Sequence, residues 1–264
     1  LGMLREGVQR ASAQAFGHRL MMDRVIPGGI ALDLAPGGAA PILHALAQVE
    51  AELPDLIRIY EDHASLQDRV IGTGHLKPEL AALFTAGGFV GRASGRGVDA
   101  RRALPHAPYP GLAFDVPVLS EGDVDARVRI RVGELRQSIA LLRALLASLP
   151  EGEIHAPLPS RGGEGIAAVE GFRGEILTWM ALDDGGLIRA VFPRDPSWLQ
   201  WPLLEAAIEG NIVADFPLCN KSFNCSYSGV VSDEGGRGCR REWVVHCDIA
   251  QARARTRRDG ALGL

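Results

Sequence analysis

Apolar residues recur at helical spacing in three long stretches of the chain. In the first, Leu4, Val8, Ala11, Ala15 and Phe16 form an incomplete stripe, which predicts a helix over 4–20. Ile26-Pro27-Gly28-Gly29 then breaks it, and Pro36-Gly37-Gly38 marks a further turn. A second helix is expected from Pro41, a residue suited to a first turn because it has no N–H to leave unpaired. Its stripe is Ile42, Leu46, Val49, Leu53, Leu56 and Tyr60, in alternating steps of four and three. Pro54 removes a backbone hydrogen bond inside it, so a kink or break is expected there. His63 continues the stripe and reads as a hydrogen-bonded core residue or, alternatively, as a catalytic group.

The third stretch has the clearest pattern. Ser120-Glu121-Gly122-Asp123 has the form of a capping box. Behind it Val124, Val128, Val132, Leu135, Ile139, Leu142, Leu146 and Leu149 repeat at steps of four and three, and Pro150 with Gly152 predicts the stop. Asp125, Arg127, Arg129, Glu134 and Arg143 fall on the opposite side, which reads as a solvated or partner-facing face. After a Pro-, Ser- and Gly-rich loop over 157–165, the pattern changes to strands at 166–169, 175–182 and 187–192. Asp183-Asp184-Gly185-Gly186 joins the last two as a hairpin turn. A shorter helix is expected over 201–209. The fold class predicted is α+β, mainly α: a core of long helices with a small, late antiparallel β-hairpin or sheet. No internal repeat is visible.

Composition changes this picture little. The chain has 264 residues, 47% hydrophobic and 23% charged, as an ordinary globular protein has. A net charge of −4 gives no global field that would recommend nucleic acid. No apolar run approaches the roughly 20 residues of a membrane span, and the opening Leu-Gly-Met-Leu-Arg lacks a secretory layout. Membrane association is therefore expected only through a partner. The four cysteines, Cys219, Cys225, Cys239 and Cys247, all lie in the last quarter and read as reduced thiols rather than a disulfide framework. Cys239, His246 and Cys247 match no common zinc spacing.

Generic catalytic signatures are missing: there is no phosphate-binding loop, no nucleophile elbow and no zinc-protease helix. Gly91 to Gly97 is glycine-rich without the spacing of a dinucleotide fingerprint. The informative stretch runs from Arg92 to Arg102, with Asp99 among glycines and arginines, followed by Pro108-Tyr109 and Phe114-Asp115-Val116-Pro117. Such Arg–Asp pairs either pin a long loop against the helices or line a polar cavity.

These residues also carry a resemblance. The block from Gly91 to Ser138, GRASGRGVDARR…PY…FDVPV.SEGDV.AR, resembles the hallmark block of the large subunit of group 4 NiFe hydrogenases. It is equally similar to the quinone-site, 49-kDa-type subunit of NADH–quinone oxidoreductase. GHRLMMDRVIPGGIA at 17–31, EGFRGEILTW at 170–179 and the stretch 194–229 resemble further segments of that family in the same order, closest to its hydrogenase-4 and formate-hydrogenlyase-related branch. The likeness extends from about residue 4 to 229. It implies a hydrogenase large-subunit-like domain over 1–229, lacking the family's first third, and an Arg-rich tail over 230–264 expected to be disordered. A frameshift or incomplete gene product would explain that tail, and a genuine basic extension is the alternative.

The departures bear on chemistry. The hydrogenases hold nickel and iron with two C-x-x-C pairs, whose soft thiolates suit those metals. The N-terminal pair is expected to lie outside this chain. At the other end Ser226 and Gly229 stand where the ligand cysteines would be, and Cys225 sits one position early. No metal is expected here and no cofactor in this chain. The resemblance implies an iron–sulfur cluster in a small partner subunit, membrane-arm partners, and NAD and quinone binding at the level of the assembly. It places the protein in the cytoplasm, peripheral on the inner membrane through those partners. Arg173 matches the arginine that approaches the metal in hydrogenases, although Gly171-Phe172 replace the usual Ala-Pro before it. With Glu175, Arg92, Asp99 and Arg102 it is expected to line the old metal cavity or a subunit interface. Two outcomes follow: an electron-transfer component coupled to a membrane arm, or a non-catalytic scaffold, relic included.

Overall fold

The computed structural model describes residues 1–159 and 161–227. The expected tail over 230–264, with Gly229, Cys239, His246 and Cys247, lies outside the described residues. Among those described, no helix is long and apolar enough to cross a membrane.

Helix α1 spans Gly2–Phe16, and Gly17 closes it in the left-handed conformation with its N–H on the Ala13 carbonyl. It therefore ends short of residue 20. Arg19 instead folds back onto Glu6 at 2.6 Å. The break at Pro27-Gly28 is the turn of a minimal hairpin, β1 (Val25–Ile26) and β2 (Gly29–Ile30).

Helix α2 (Ala39–Asp62) runs through Pro54 without ending, so the expected break is absent. Leu46 and Leu53 of its stripe are buried. His63 is exposed, not in the core: it caps α3 (Ala64–Val70) by accepting the Leu66 N–H at Nδ1, 3.3 Å. Two short helices follow, α4 (Pro78–Leu83) and α5 (Gly88–Ala93), and then the single turn α6 (Ala100–Ala103).

Helix α7 (Val124–Ala147) is the third long element. Its cap is Asp123 rather than Ser120. One Asp123 oxygen accepts the Ala126 N–H at 2.7 Å and the other accepts the Gly72 N–H at 2.7 Å, so the cap also fastens the loop after α3. The side of α7 expected to be solvated or partner-facing is engaged within the chain. Tyr60 donates to Asp125 at 2.7 Å, Arg129 reaches Glu61 at 2.9 Å, and Arg143 pairs with Glu50, so these polar contacts join α7 to α2. Part of the expected apolar stripe stays open: Val128, Val132 and Leu135 face Leu53, Leu56 and Ile57 across a groove of about 940 Å³.

The late sheet is β3 (Gly163–Gly171), β4 (Gly174–Leu182) and β5 (Ile188–Arg194), antiparallel in the order β3-β4-β5. Its first three residues, 163–165, fall inside the expected loop. Asp183 makes the β4–β5 turn, its Oδ1 accepting the N–H groups of Gly185 and Leu187, both at 2.9 Å. Helices α8 (Ser197–Ala207) and α9 (Phe216–Phe223) complete the described chain. The fold is thus α+β and mainly α, as the pattern predicts. The core, however, gathers around short helices: Phe89 and Val90 of α5, Leu203 and Leu204 of α8 and Phe223 of α9 close on Ala126 and Ile130 of α7.

Candidate functional site

Helix α5 organises the candidate residues, since every one of its six positions is buried. Its N-terminal end meets the β3–β4 turn. Gly88 has φ +60, and a Cβ there would lie 2.2 Å from the Arg173 carbonyl oxygen. Across the contact Gly174 has φ +128, and a Cβ on it would lie 2.8 Å from the Gly88 nitrogen. Two glycines thus let backbone touch backbone and fix the hairpin tip that carries Arg173. Gln200 of α8 completes the clamp, its Nε2 donating to the Arg173 carbonyl at 2.7 Å and to that of Gly87 at 3.3 Å.

At the other end of α5, Arg92 is the centre of a buried ion cluster, with 3% of its side chain exposed. Its Nε donates to Glu134 of α7 at 2.6 Å and its Nη1 to Glu170 of β3 at 2.9 Å. Nη1 also donates to the Val98 carbonyl at 3.0 Å and lies 3.5 Å from Asp99. Asp99 in turn holds Arg101 through both oxygens, at 2.9 and 2.6 Å. Burial draws the Asp99 carboxyl upward, but the hydrogen bonds from Arg101 outweigh it and hold the group below the ordinary carboxylate range. For Glu134 burial wins, and its pKa lies above the ordinary value despite Arg92.

A second group surrounds the end of α9. Arg173 donates through Nε to the Asn224 carbonyl, and Arg131 donates to the Ser222 carbonyl at 2.8 Å. The Arg131 guanidinium lies 4.0 Å from the Phe89 ring centroid and 5.6 Å from that of Phe172. Burial, with Arg173 nearby, pushes Arg131 down to about 10. Arg127, expected on a solvated or partner-facing side, is instead fully buried within this chain. Its guanidinium donates to Ser222 Oγ at 3.0 Å and to the carbonyls of Gly122 and Gly74 at 2.7 and 2.8 Å. Burial pushes it down to about 9, so it remains a cation at neutral pH.

Cys225 is buried beside these groups, with Sγ 3.9 Å from Gln200 Oε1. Burial pushes its thiol up to about 12, which keeps it protonated at neutral pH. Ser226 donates its N–H to Ser197 Oγ at 2.9 Å.

Of the five residues singled out from the sequence, the structure brings Arg92 and Asp99 together. Arg173 sits at the opposite end of α5. Glu175 is tied to Arg194 across β4 and β5. Arg102 is half-exposed, donates to the Phe114 carbonyl and lies 4.0 Å from Asp115, apart from the Arg92 cluster. Sequence reasoning missed Glu170 and placed Glu134 on the wrong side of its helix. The available signal was charge: a buried Arg92 requires more anionic partners than Asp99, which Arg101 already occupies.

Known proteins match this chain over most of its length. A family model described as the 49-kDa subunit of the respiratory-chain NADH dehydrogenase matches residues 3–162. The chain is 30% identical over 225 residues to a carbon monoxide-induced hydrogenase of Rhodospirillum rubrum, covering 83% of this chain and 62% of that one. It is 33% identical over 219 residues to the D subunit of the NADH-quinone oxidoreductase of Dehalococcoides mccartyi, covering 80% and 59%. The corresponding D subunit of a Roseiflexus species is 30% identical over 223 residues, with 80% and 60% covered. The chain therefore spans about three fifths of the length of these relatives.

Proposed function

The chain belongs to the family of the 49-kDa subunit of the respiratory-chain NADH dehydrogenase, and from that premise we propose that it serves as a subunit of a membrane-associated oxidoreductase complex. The complex is of the hydrogenase-4 or complex I type and couples electron transfer to a membrane arm. In this reading the chain itself carries no nickel–iron centre. Electrons arrive from a small iron–sulfur subunit, and a quinone-like molecule is the acceptor. NAD and quinone binding are assigned to the assembly. The protein sits peripherally on the cytoplasmic side of the inner membrane, held there by its partners.

One observation supports the reading: Arg173, which the resemblance matches to the arginine near the hydrogenase metal, sits on a turn fixed by close backbone contact. Arg173 is held by the Gly88–Gly174 contact beside a protonated Cys225. Among the described residues the group recorded at that thiol is the Gln200 carboxamide, 3.9 Å away, a hard oxygen rather than the thiolate that nickel takes. What remains is a guanidinium, able to orient an anionic group or to stabilise negative charge developing on an acceptor.

A specific observation also favours a second reading, a non-catalytic scaffold. The Arg173 Nε, Glu175 and Arg102 are each satisfied by this chain's own groups, namely the Asn224 carbonyl, Arg194 and the Phe114 carbonyl. Arg173→Ala in the native complex separates the two. The electron-transfer reading expects turnover to fall at least about tenfold with the complex still assembled. Unchanged turnover in an assembled complex would establish the scaffold.

A further inference from the structure

Three carboxylates and two guanidiniums meet at the C-terminal end of α5. With all of them ionised, Arg92 and Arg101 face Asp99, Glu134 and Glu170, and Arg131 of α7 is a further cation beside Glu134, in a site largely closed to water. A buried carboxylate with few hydrogen bonds is costly, and binding a proton relieves that cost. The three candidates differ in how free they are to do so. Asp99 uses both oxygens on Arg101, and one of them also accepts the Arg101 backbone N–H at 2.9 Å. Glu170 uses one oxygen on Arg92 and the other on the Ala100 N–H at 2.9 Å. Glu134 accepts one hydrogen bond among the described residues, from Arg92 Nε, and its second oxygen is uncommitted. Its side chain is also the most accessible of the three, 19% exposed against 1% for Asp99 and 6% for Glu170, so a proton can reach it from solvent.

We propose that Glu134 is a proton-binding site, the carboxyl at which this cluster takes up a proton on mild acidification. The groups that face it are Arg92 from α5, Asp99 and Arg101 from the start of α6, Glu170 from β3, and Arg131 on α7 itself. The upward direction of the Glu134 pKa, caused first by burial and reinforced by Glu170, agrees with this placement. Proton uptake removes one of the cluster's three negative charges. It also turns the Arg92–Glu134 contact from an ion pair into a hydrogen bond to a neutral acid, and that contact is the charged tie between α5 and α7. Because α5 holds the Arg173 turn at its other end, the proton weakens the anchorage of the segment that positions Arg173. The proton site holds whether or not the electron-transfer reading is correct.

The test is an NMR titration of the full chain, labelled with ¹³C at the glutamate side-chain carboxyls, between pH 4 and 8. One glutamate signal is expected to titrate above the ordinary midpoint of about 4.3. It should be missing in Glu134→Gln. In Glu170→Gln, which removes the neighbouring carboxylate, its midpoint should fall by about one unit, a tenfold loss of proton affinity. Glutamine keeps an acceptor toward Arg92 in both variants. Should Glu170→Gln not fold, the loss of the high-midpoint signal in Glu134→Gln decides alone. No glutamate titrating above the ordinary range would overturn the proposal, as would a high-midpoint signal that survives Glu134→Gln or stays in place in a folded Glu170→Gln.

Discussion

Arg92→Met removes the cation of the buried cluster and keeps most of its bulk. Glu134 and Glu170 then lose an ion partner at 2.6 and 2.9 Å, and the Val98 carbonyl loses its donor. Breaking a buried ion pair from one side costs about 3–5 kcal/mol. With two carboxylates affected at once, the upper half of that range applies, about 4 kcal/mol at slightly alkaline pH. The orphaned charge can be relieved by protonation, at about 1.4 kcal/mol for each pH unit above the folded-state pKa. The sign follows from linkage: a carboxyl whose folded pKa lies above its unfolded value destabilises the fold at high pH, and the penalty fades as pH falls through the folded pKa. The direction for Glu134 is already upward with Arg92 present, and removing the cation moves it further up. The deficit of the variant should therefore be largest near pH 8 and distinctly smaller near pH 5.5. Urea unfolding of the full chain, followed by tryptophan fluorescence, measures it. With a slope of about 2–3 kcal/mol per molar urea, the midpoint should drop by about 1.5 M at pH 8 and by clearly less at pH 5.5. A drop under about 0.5 M, or one equal at both pH values, would falsify the assignment of Arg92 as the cluster's central cation.

Other outcomes are expected from separate features. Gly88→Ala should cost at least about 2 kcal/mol and displace the Arg173 turn, because its Cβ meets a carbonyl at 2.2 Å in left-handed backbone. Gly37→Ala has a similar positive φ but open space around it, so urea unfolding should show only about 1 kcal/mol. Asp123→Ala removes acceptors for both the Ala126 and Gly72 N–H groups, and thermal melting should report a loss of about 2 kcal/mol. The Cys225 thiol, pushed up to about 12 by burial, should resist iodoacetamide at pH 8 in the folded protein and react readily in urea, as read from its own peptide by mass spectrometry. Ready labelling of that peptide in the folded state would contradict the burial.

The sequence made the long helices and the late sheet legible because their patterns are unambiguous. Leu46 and Leu53 lie in the second stripe and are buried, and the Asp-Asp-Gly-Gly run makes the β4–β5 turn. Of the kink or break expected at Pro54, the break does not occur, because one missing N–H in a 24-residue helix is not enough to end it. The structural centre was hidden for a different reason. Helix α5 has six residues and contains Gly88 and Gly91, so it carries neither a readable period nor helix propensity, yet the core closes on it. Arg127 and Glu134 were read outward because charge usually marks a surface. In α7 the face bearing Arg127, Ile130 and Glu134 points inward, with its polar groups met by carbonyls and by Arg92, while Val128, Val132 and Leu135 look into the open groove. The pairing of Arg92 with Asp99 was visible from their proximity in sequence. Glu134 and Glu170 come from elements 42 and 78 residues away, which local pattern alone does not connect.

The central claim, a nickel-free component of a membrane-associated electron-transfer complex, is tested most directly by purifying the native complex through this chain. Metal content and intact subunit masses would be measured on the same sample. The account predicts co-purification with a small iron–sulfur subunit and membrane-arm subunits, iron present and nickel absent. Stoichiometric nickel, or a lone chain without partners or iron, would contradict it.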